Sequence, residues 1–147
     1  MAVVVLVIAA AGISCRIFAP ADPEEAARES VSDLRERIAR VVPDADRVAE
    51  LNEMVNSLER EVDGLLDAIG SYRDRLREMN RDHTATRRSF EQLFSEFDRS
   101  RKAKRGRLVA LHSRMKEWTT PEEWSEIFEA ERNALGALLR RSGNQGL

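Results

Sequence analysis

The chain has 147 residues, of which 34% are charged and 5% aromatic, with a formal net charge of -2. That balance suits long solvated helices rather than a thick globular core, and it argues against general nucleic-acid binding, which needs a strongly basic domain. The single cysteine, Cys15, excludes an internal disulfide.

Residues 3–11 (VVVLVIAAA) form an apolar run, followed by Gly12, Ile13, Ser14 and Cys15. The run is short for a spanning helix, which needs about 20 apolar residues, and it fits the hydrophobic region of an export signal. Ile13, Ser14 and Cys15 resemble the end of a bacterial lipoprotein signal. The resemblance implies that Cys15 is acylated and becomes the first residue of the mature chain. An uncleaved anchor extending through Ile17 and Phe18, or a buried segment, are the other readings. Residues 1–18 are therefore read as an export signal or membrane anchor, and 19–22 as a tether. This places the chain in the bacterial cell envelope, tethered to the membrane and facing the periplasm.

Asp22-Pro23-Glu24-Glu25 is a strong helix start, with Asp as cap, Pro at the first helical position and Glu completing a capping box. Val31, Leu34, Ile38 and Val41 give this helix an apolar stripe. It should stop near Val42, because Pro43 pushes the preceding residue away from helical angles. Asp44 can cap the next helix. So short a connection predicts a tight corner that folds the first helix back onto the second.

The second helix carries the most regular pattern in the chain. Over residues 48–79 the apolar positions are Val48, Leu51, Val55, Leu58, Val62, Leu65, Ile69, Tyr72, Leu76 and Met79, in alternating steps of three and four. This is a heptad seam about 48 Å long that another helix must cover. β-Branched residues at one position and leucines at the other favour a two-stranded pairing, either a hairpin within the chain or a homodimer. Asn80, Asp82, His83, Thr84 and Thr86 are mediocre helix formers and predict a break, with Thr84 or Ser89 as the next cap.

A third helix should follow on Phe90, Leu93, Phe94, Phe97, Leu108, Leu111, Met115 and Trp118. The gap from Phe97 to Leu108 is a heptad plus four, which keeps the stripe on one face. Arg99, Arg101, Lys102, Lys104, Arg105 and Arg107 fill it, and the acidic residues Glu122, Glu123, Glu126, Glu129 and Glu131 offer these cations a counterpart. Thr120-Pro121-Glu122-Glu123 starts a fourth helix. Trp124, Ile127, Phe128, Leu135, Leu138 and Leu139 form its apolar side, and Arg140, Arg141 and Gly143 suit its end. Residues 142–147 are read as a tail. Trp118 and Trp124 flank the Thr119-Thr120-Pro121 corner and should clasp the last two helices. The expected fold is therefore all-α, with antiparallel hairpins or a coiled coil of about four helices over 23–141.

Catalysis finds no support in the motifs: there is no Ser-His-Asp grouping, Gly-rich phosphate loop or paired-histidine motif, and charged residues alternate in sign as on solvated helices. Met79 with His83, and His112 with Met115, have the spacing to share a helix face and could suit a soft metal. They read more simply as seam and surface residues, so no cofactor or metal is assigned. The basic run from 99 to 107 has no interleaved aromatics for base stacking and reads as a solvated face or a lipid-headgroup contact.

The layout of an export signal and four helices, with Thr120-Pro121-Glu122-Glu123 opening the last, resembles the small periplasmic helical proteins of the LTxxQ chaperone and heavy-metal-resistance sensor group. That resemblance implies a cradle-shaped helical protein that binds unfolded clients or reports envelope stress without a cofactor. The expected function is non-enzymatic protein–protein contact, with a protein partner or a second copy, no nucleic acid and no small-molecule substrate. A coiled-coil linker bridging envelope layers, spanin-like or division-type, is the alternative, and a periplasmic heavy-metal sensor a second one.

Overall fold

The computed structural model describes residues 22–141. The expected signal or anchor with Cys15, most of the tether, and the tail with Gly143 lie outside them. The described residues form four α-helices: α1 (Pro23–Val41), α2 (Ala45–Arg81), α3 (Arg87–Glu117) and α4 (Pro121–Arg140). The all-α class read from the sequence is the one observed. None of these helices is long and apolar enough to cross a membrane.

The caps fix the boundaries. Asp22 accepts from the Glu24 N–H at 3.1 Å, with Pro23 opening α1. Asp44 accepts from the Arg47 N–H at 2.9 Å and starts α2. The cap of α3 is Thr86, and neither Thr84 nor Ser89. Its hydroxyl accepts from the Ser89 N–H at 3.2 Å while the Ser89 hydroxyl accepts from the Thr86 N–H at 3.0 Å. Thr84 instead serves the turn, donating from hydroxyl and N–H to one oxygen of Asp82 at 2.7 and 2.8 Å. The Thr84 hydroxyl, and then its N–H, hold the Asp82 carboxyl below the usual carboxylate range. A Thr or Ser at several neighbouring positions can cap, and only the backbone path selects among them.

Successive helices run antiparallel, as the cross-helix ion pairs record. On α1 and α4, Arg37 meets Glu126 at 3.3 Å near one end and Arg141 meets Glu24 at 3.4 Å near the other. On α2 and α3, Arg75 pairs with Glu96 at 3.0 Å and Glu61 with Arg107 at 2.7 Å. The packing partner of α1 differs from expectation. α1 lies chiefly against α4, and meets α2 over a smaller surface where Arg35 reaches Asn56 and Glu59, each at 2.7 Å. Side-chain size favours this: Ala27 on α1 and Ala134 and Ala137 on α4 are all buried. Short side chains at a helix contact let the axes approach.

The core joins Val31, Leu34, Ile38 and Val42 of α1 to Leu51, Met54, Val55, Leu58 and Val62 of α2, with Met115, Ile127 and Leu138 from the other two helices. Val42, not Val41, ends the α1 stripe. The Val42 N–H still bonds the Ile38 carbonyl at 3.0 Å, so Val42 stays one turn from Ile38 on the same face.

This core occupies only half the length of α2. α1 and α4 have 19 and 20 residues, whereas α2 has 37 and α3 has 31. From Asp63 to Arg81, α2 continues for about 27 Å with α3 beside it and, among the described residues, no third layer. The molecule is a four-helix body with a two-helix stalk. Tyr72 stacks on Phe97 in the stalk, centroids 4.1 Å apart and rings 19° from parallel. Gly70 lies on the stalk with nothing within 4 Å of an added Cβ. Gly70→Ala should therefore stabilise the protein by about 0.5–1 kcal/mol, the helix-propensity difference, checked by denaturant unfolding.

Candidate functional site

The body and the stalk meet at a shoulder. The Arg141 guanidinium, at the end of α4, bonds Asp63 on α2 and Glu24 in the first turn of α1. Above this clamp lies an open groove of about 950 Å³ lined by Leu66, Ile69, Gly70, Ser71, Asp67, Asp74 and Arg77 together with the clamp residues. It is the continuation of the core face of α2 after α1 and α4 have ended. Leu66 and Ile69 supply its large apolar side chains, among charged residues of both signs.

The seven seam residues fall into two groups across the shoulder. Leu51, Val55, Leu58 and Val62 are buried in the body, with Val48 packed against the same cluster. Leu65 and Ile69 are only half-buried. Over residues 48–62 the seam is covered within the chain, by α1, α3 and α4, and needs no second copy there. Beyond it Phe94 is 48% exposed, although it lies 6.2 Å from Tyr72, centroid to centroid.

The Thr119-Thr120 corner is held differently from the expected clasp of two indoles. Among the described residues no ring pair joins Trp118 to Trp124. Trp118 is 36% exposed, and its backbone carbonyl is what the corner uses, accepting from Arg47 Nε at 3.1 Å and Nη2 at 2.7 Å. As the residue that ends α3, Trp118 turns its carbonyl outward, where a cation can reach it. Arg47 also forks onto Glu123, whose carboxylate accepts from the Thr120 N–H at 2.8 Å in the α4 capping box. Arg47, and then that N–H, hold the Glu123 carboxyl below the usual carboxylate range. The stability this contributes is complete above that range and is lost as pH falls through the depressed value. Glu123→Gln should flatten the acid side of a melting-temperature profile against pH.

Trp124 belongs to another group. Its ring meets His112 edge-on at 5.2 Å and Phe128 at 5.9 Å, centroid to centroid. Behind them Glu131, 2% exposed, bonds His112 Nδ1 at 3.1 Å. α3 and α4 make little backbone contact, so this cluster is a principal link between them. Met115 is fully buried and His112 is engaged by Glu131, while Met79 is half-buried and His83 sits exposed in the turn. Among the described residues no three His, Cys, Asp or Glu side chains are grouped to hold a metal.

The α4 carboxylates are not the counterpart of the basic run on α3. Glu123 meets Arg47, Glu126 meets Arg37 and Glu129 meets Arg132. Because His112 stands opposite Glu131 in antiparallel helices, 99–107 lies level with the far end of α4, beyond its acidic first turns. The run instead uses Glu61 on α2 and Asp98 on α3 itself, the latter bonded by Lys102 at 2.7 Å and Arg101 at 3.2 Å. Compared with protein-family models, with curated proteins and with solved structures, the chain has no match.

Proposed function

We propose that this chain is a non-enzymatic protein of the bacterial envelope, tethered to the membrane at its amino terminus and acting by protein–protein contact at the stalk and its shoulder groove. The observation that carries this reading is the seam that outruns its cover. A heptad face runs the length of α2, yet α1 and α4 stop at Asp63, leaving Leu66 and Ile69 as the floor of an open groove. A groove of that form suits an amphipathic helix or an extended segment of a partner, as in a scaffold or chaperone-like binder. The tether rests on the Ile13-Ser14-Cys15 sequence and its apolar run. The turn at 82–86 weighs against a linker that bridges layers by length. It returns the chain on itself, so the longest helix spans about 55 Å.

The test has two arms. Mass spectrometry of the mature amino terminus from a bacterial host should find an acylated Cys15; an intact, unmodified Met1 in the soluble fraction would remove the tether. A photo-reactive phenylalanine at Ile69 should form protein adducts in living cells that the same group at exposed Arg40 does not form. Identical adduct patterns at the two positions would remove the groove as the contact surface.

A further inference from the structure

We infer that the stalk lies down on the membrane, with the outer face of α3 against anionic lipid headgroups. The inference rests on the membrane tether proposed above, on two observations independent of it and on a third that follows from it.

The first is the distribution of charge. Residues 63–107 carry twelve Lys and Arg against eight Asp and Glu, while residues 22–62 and 108–141 carry eleven against eighteen. An acidic chain thus has a basic stalk. Six of the twelve cations fall between 99 and 107, with no acid among them.

The second is where those cations point. Arg99, Lys102 and Arg105 are all exposed and stand one turn apart on α3. Val109, 57% exposed, follows one turn after Arg105 on the same side. Asp98 also lies there, and Lys102 and Arg101 engage it and hold its carboxyl below the usual range. Among the described residues Arg99 and Arg105 have no ion pair. Excess positive charge with an apolar side chain at its edge matches a headgroup surface.

The third is reach. α1 starts at the shoulder and runs away from the stalk tip, so the tether joins the described residues at the base of the stalk. From an acylated Cys15, residues 16–22 span at most about 25 Å. From an anchor ending at Phe18, residues 19–22 span at most about 14 Å. The stalk rises about 27 Å above Asp63. A tether of that length holds the shoulder within about a stalk length of the bilayer, close enough for the side of the stalk to reach the headgroups. Tethering also makes the contact intramolecular, at an effective concentration where a patch of a few cations suffices.

Two competing occupants fit less well. Pairing the stalks of two copies sets basic against basic. A nucleic acid would find phosphate contacts but no aromatic side chain between Phe97 and Leu108 on which to stack a base.

The experiment uses the full chain carrying Cys15→Ser and Ala103→Cys, labelled at 103 with an environment-sensitive dye. It is mixed with vesicles of phosphatidylcholine alone or blended with phosphatidylglycerol. A blue shift on the blended vesicles only, abolished by high salt, supports the inference. Arg99→Gln, Lys102→Gln and Arg105→Gln together should weaken the anionic-lipid contribution about 100-fold, at roughly fivefold per cation, with helicity unchanged. Flotation with both vesicle types but no shift on either overturns the inference and leaves the tether standing. Because Cys15→Ser removes the acylation site, flotation with phosphatidylcholine reads only the apolar run; where that is absent, a salt-sensitive shift on blended vesicles still supports the patch and no shift overturns it. A shift produced equally by a single-stranded oligonucleotide, or by raising protein concentration without lipid, overturns it in favour of another polyanion or a second copy.

Discussion

Leu58→Ala should lower the free energy of unfolding by about 2–5 kcal/mol, whereas Ile69→Ala, eleven residues along the same seam, should cost clearly less. Leu58 is 1% exposed and belongs to the cluster that joins α1, α2, α3 and α4. Its deletion leaves a void walled by four helices, which collapse only in part. Ile69 is half-buried and lines the groove, so water or neighbouring side chains can take the vacated space. Denaturant unfolding monitored by circular dichroism measures both. Equal losses at the two positions would mean that the stalk seam is covered after all, in solution, by a surface absent from the four helices described.

His112→Ala should destabilise by about 1–3 kcal/mol, while Glu131→Leu should be neutral or stabilising. The asymmetry follows from burial. The Glu131 carboxylate is almost wholly enclosed and meets His112 at 3.1 Å; the His112 side chain is far more open. Removing the imidazole leaves a buried carboxylate without that partner. Removing the carboxylate leaves an imidazole that water can reach. His112 is exposed enough to keep the first cost below the 3–5 kcal/mol expected for breaking a fully buried pair. The double substitution should recover the part of the His112→Ala loss that belongs to the stranded acid, leaving the lost ring contacts with Trp124 and Phe128. Thermal melts of the three variants at one pH decide it.

Much of this architecture was legible in the residues. Pro23 and Pro121 behind Asp22 and Thr120 mark two helix starts, Pro43 ends the first helix, and the polar stretch from Asn80 to Thr86 marks the hairpin turn. These signals are local, set by backbone angles and cap chemistry, so they survive without tertiary information. What was not legible depends on which helices meet. The buried line of α4 is Ile127, Glu131, Ala134 and Leu138, spaced four, three and four. A search for large apolar side chains passes over it, because two of its four members are a carboxylate and an alanine. That search favours Phe128 and Leu139, which are 38% and 41% exposed. Likewise nothing in the heptads of α2 tells where their cover ends. The length of α1 and α4 decides that, and so the groove is a product of four helices rather than of one pattern.

The α1–α4 pairing has a consequence for how the molecule assembles. Glu24 and Arg141 stand 117 positions apart in the chain yet touch, whereas Arg75 and Glu96 are only 21 apart. Closing the long loop carries the greater entropic cost and cannot precede synthesis of the final helix. The α2–α3 hairpin can form early from neighbours in sequence. Val31, Leu34 and Ile38 can meet α2 early but must wait for α4 to complete their cover. The nascent protein is thus most vulnerable to aggregation or proteolysis through its first helix, during the interval before its last one arrives.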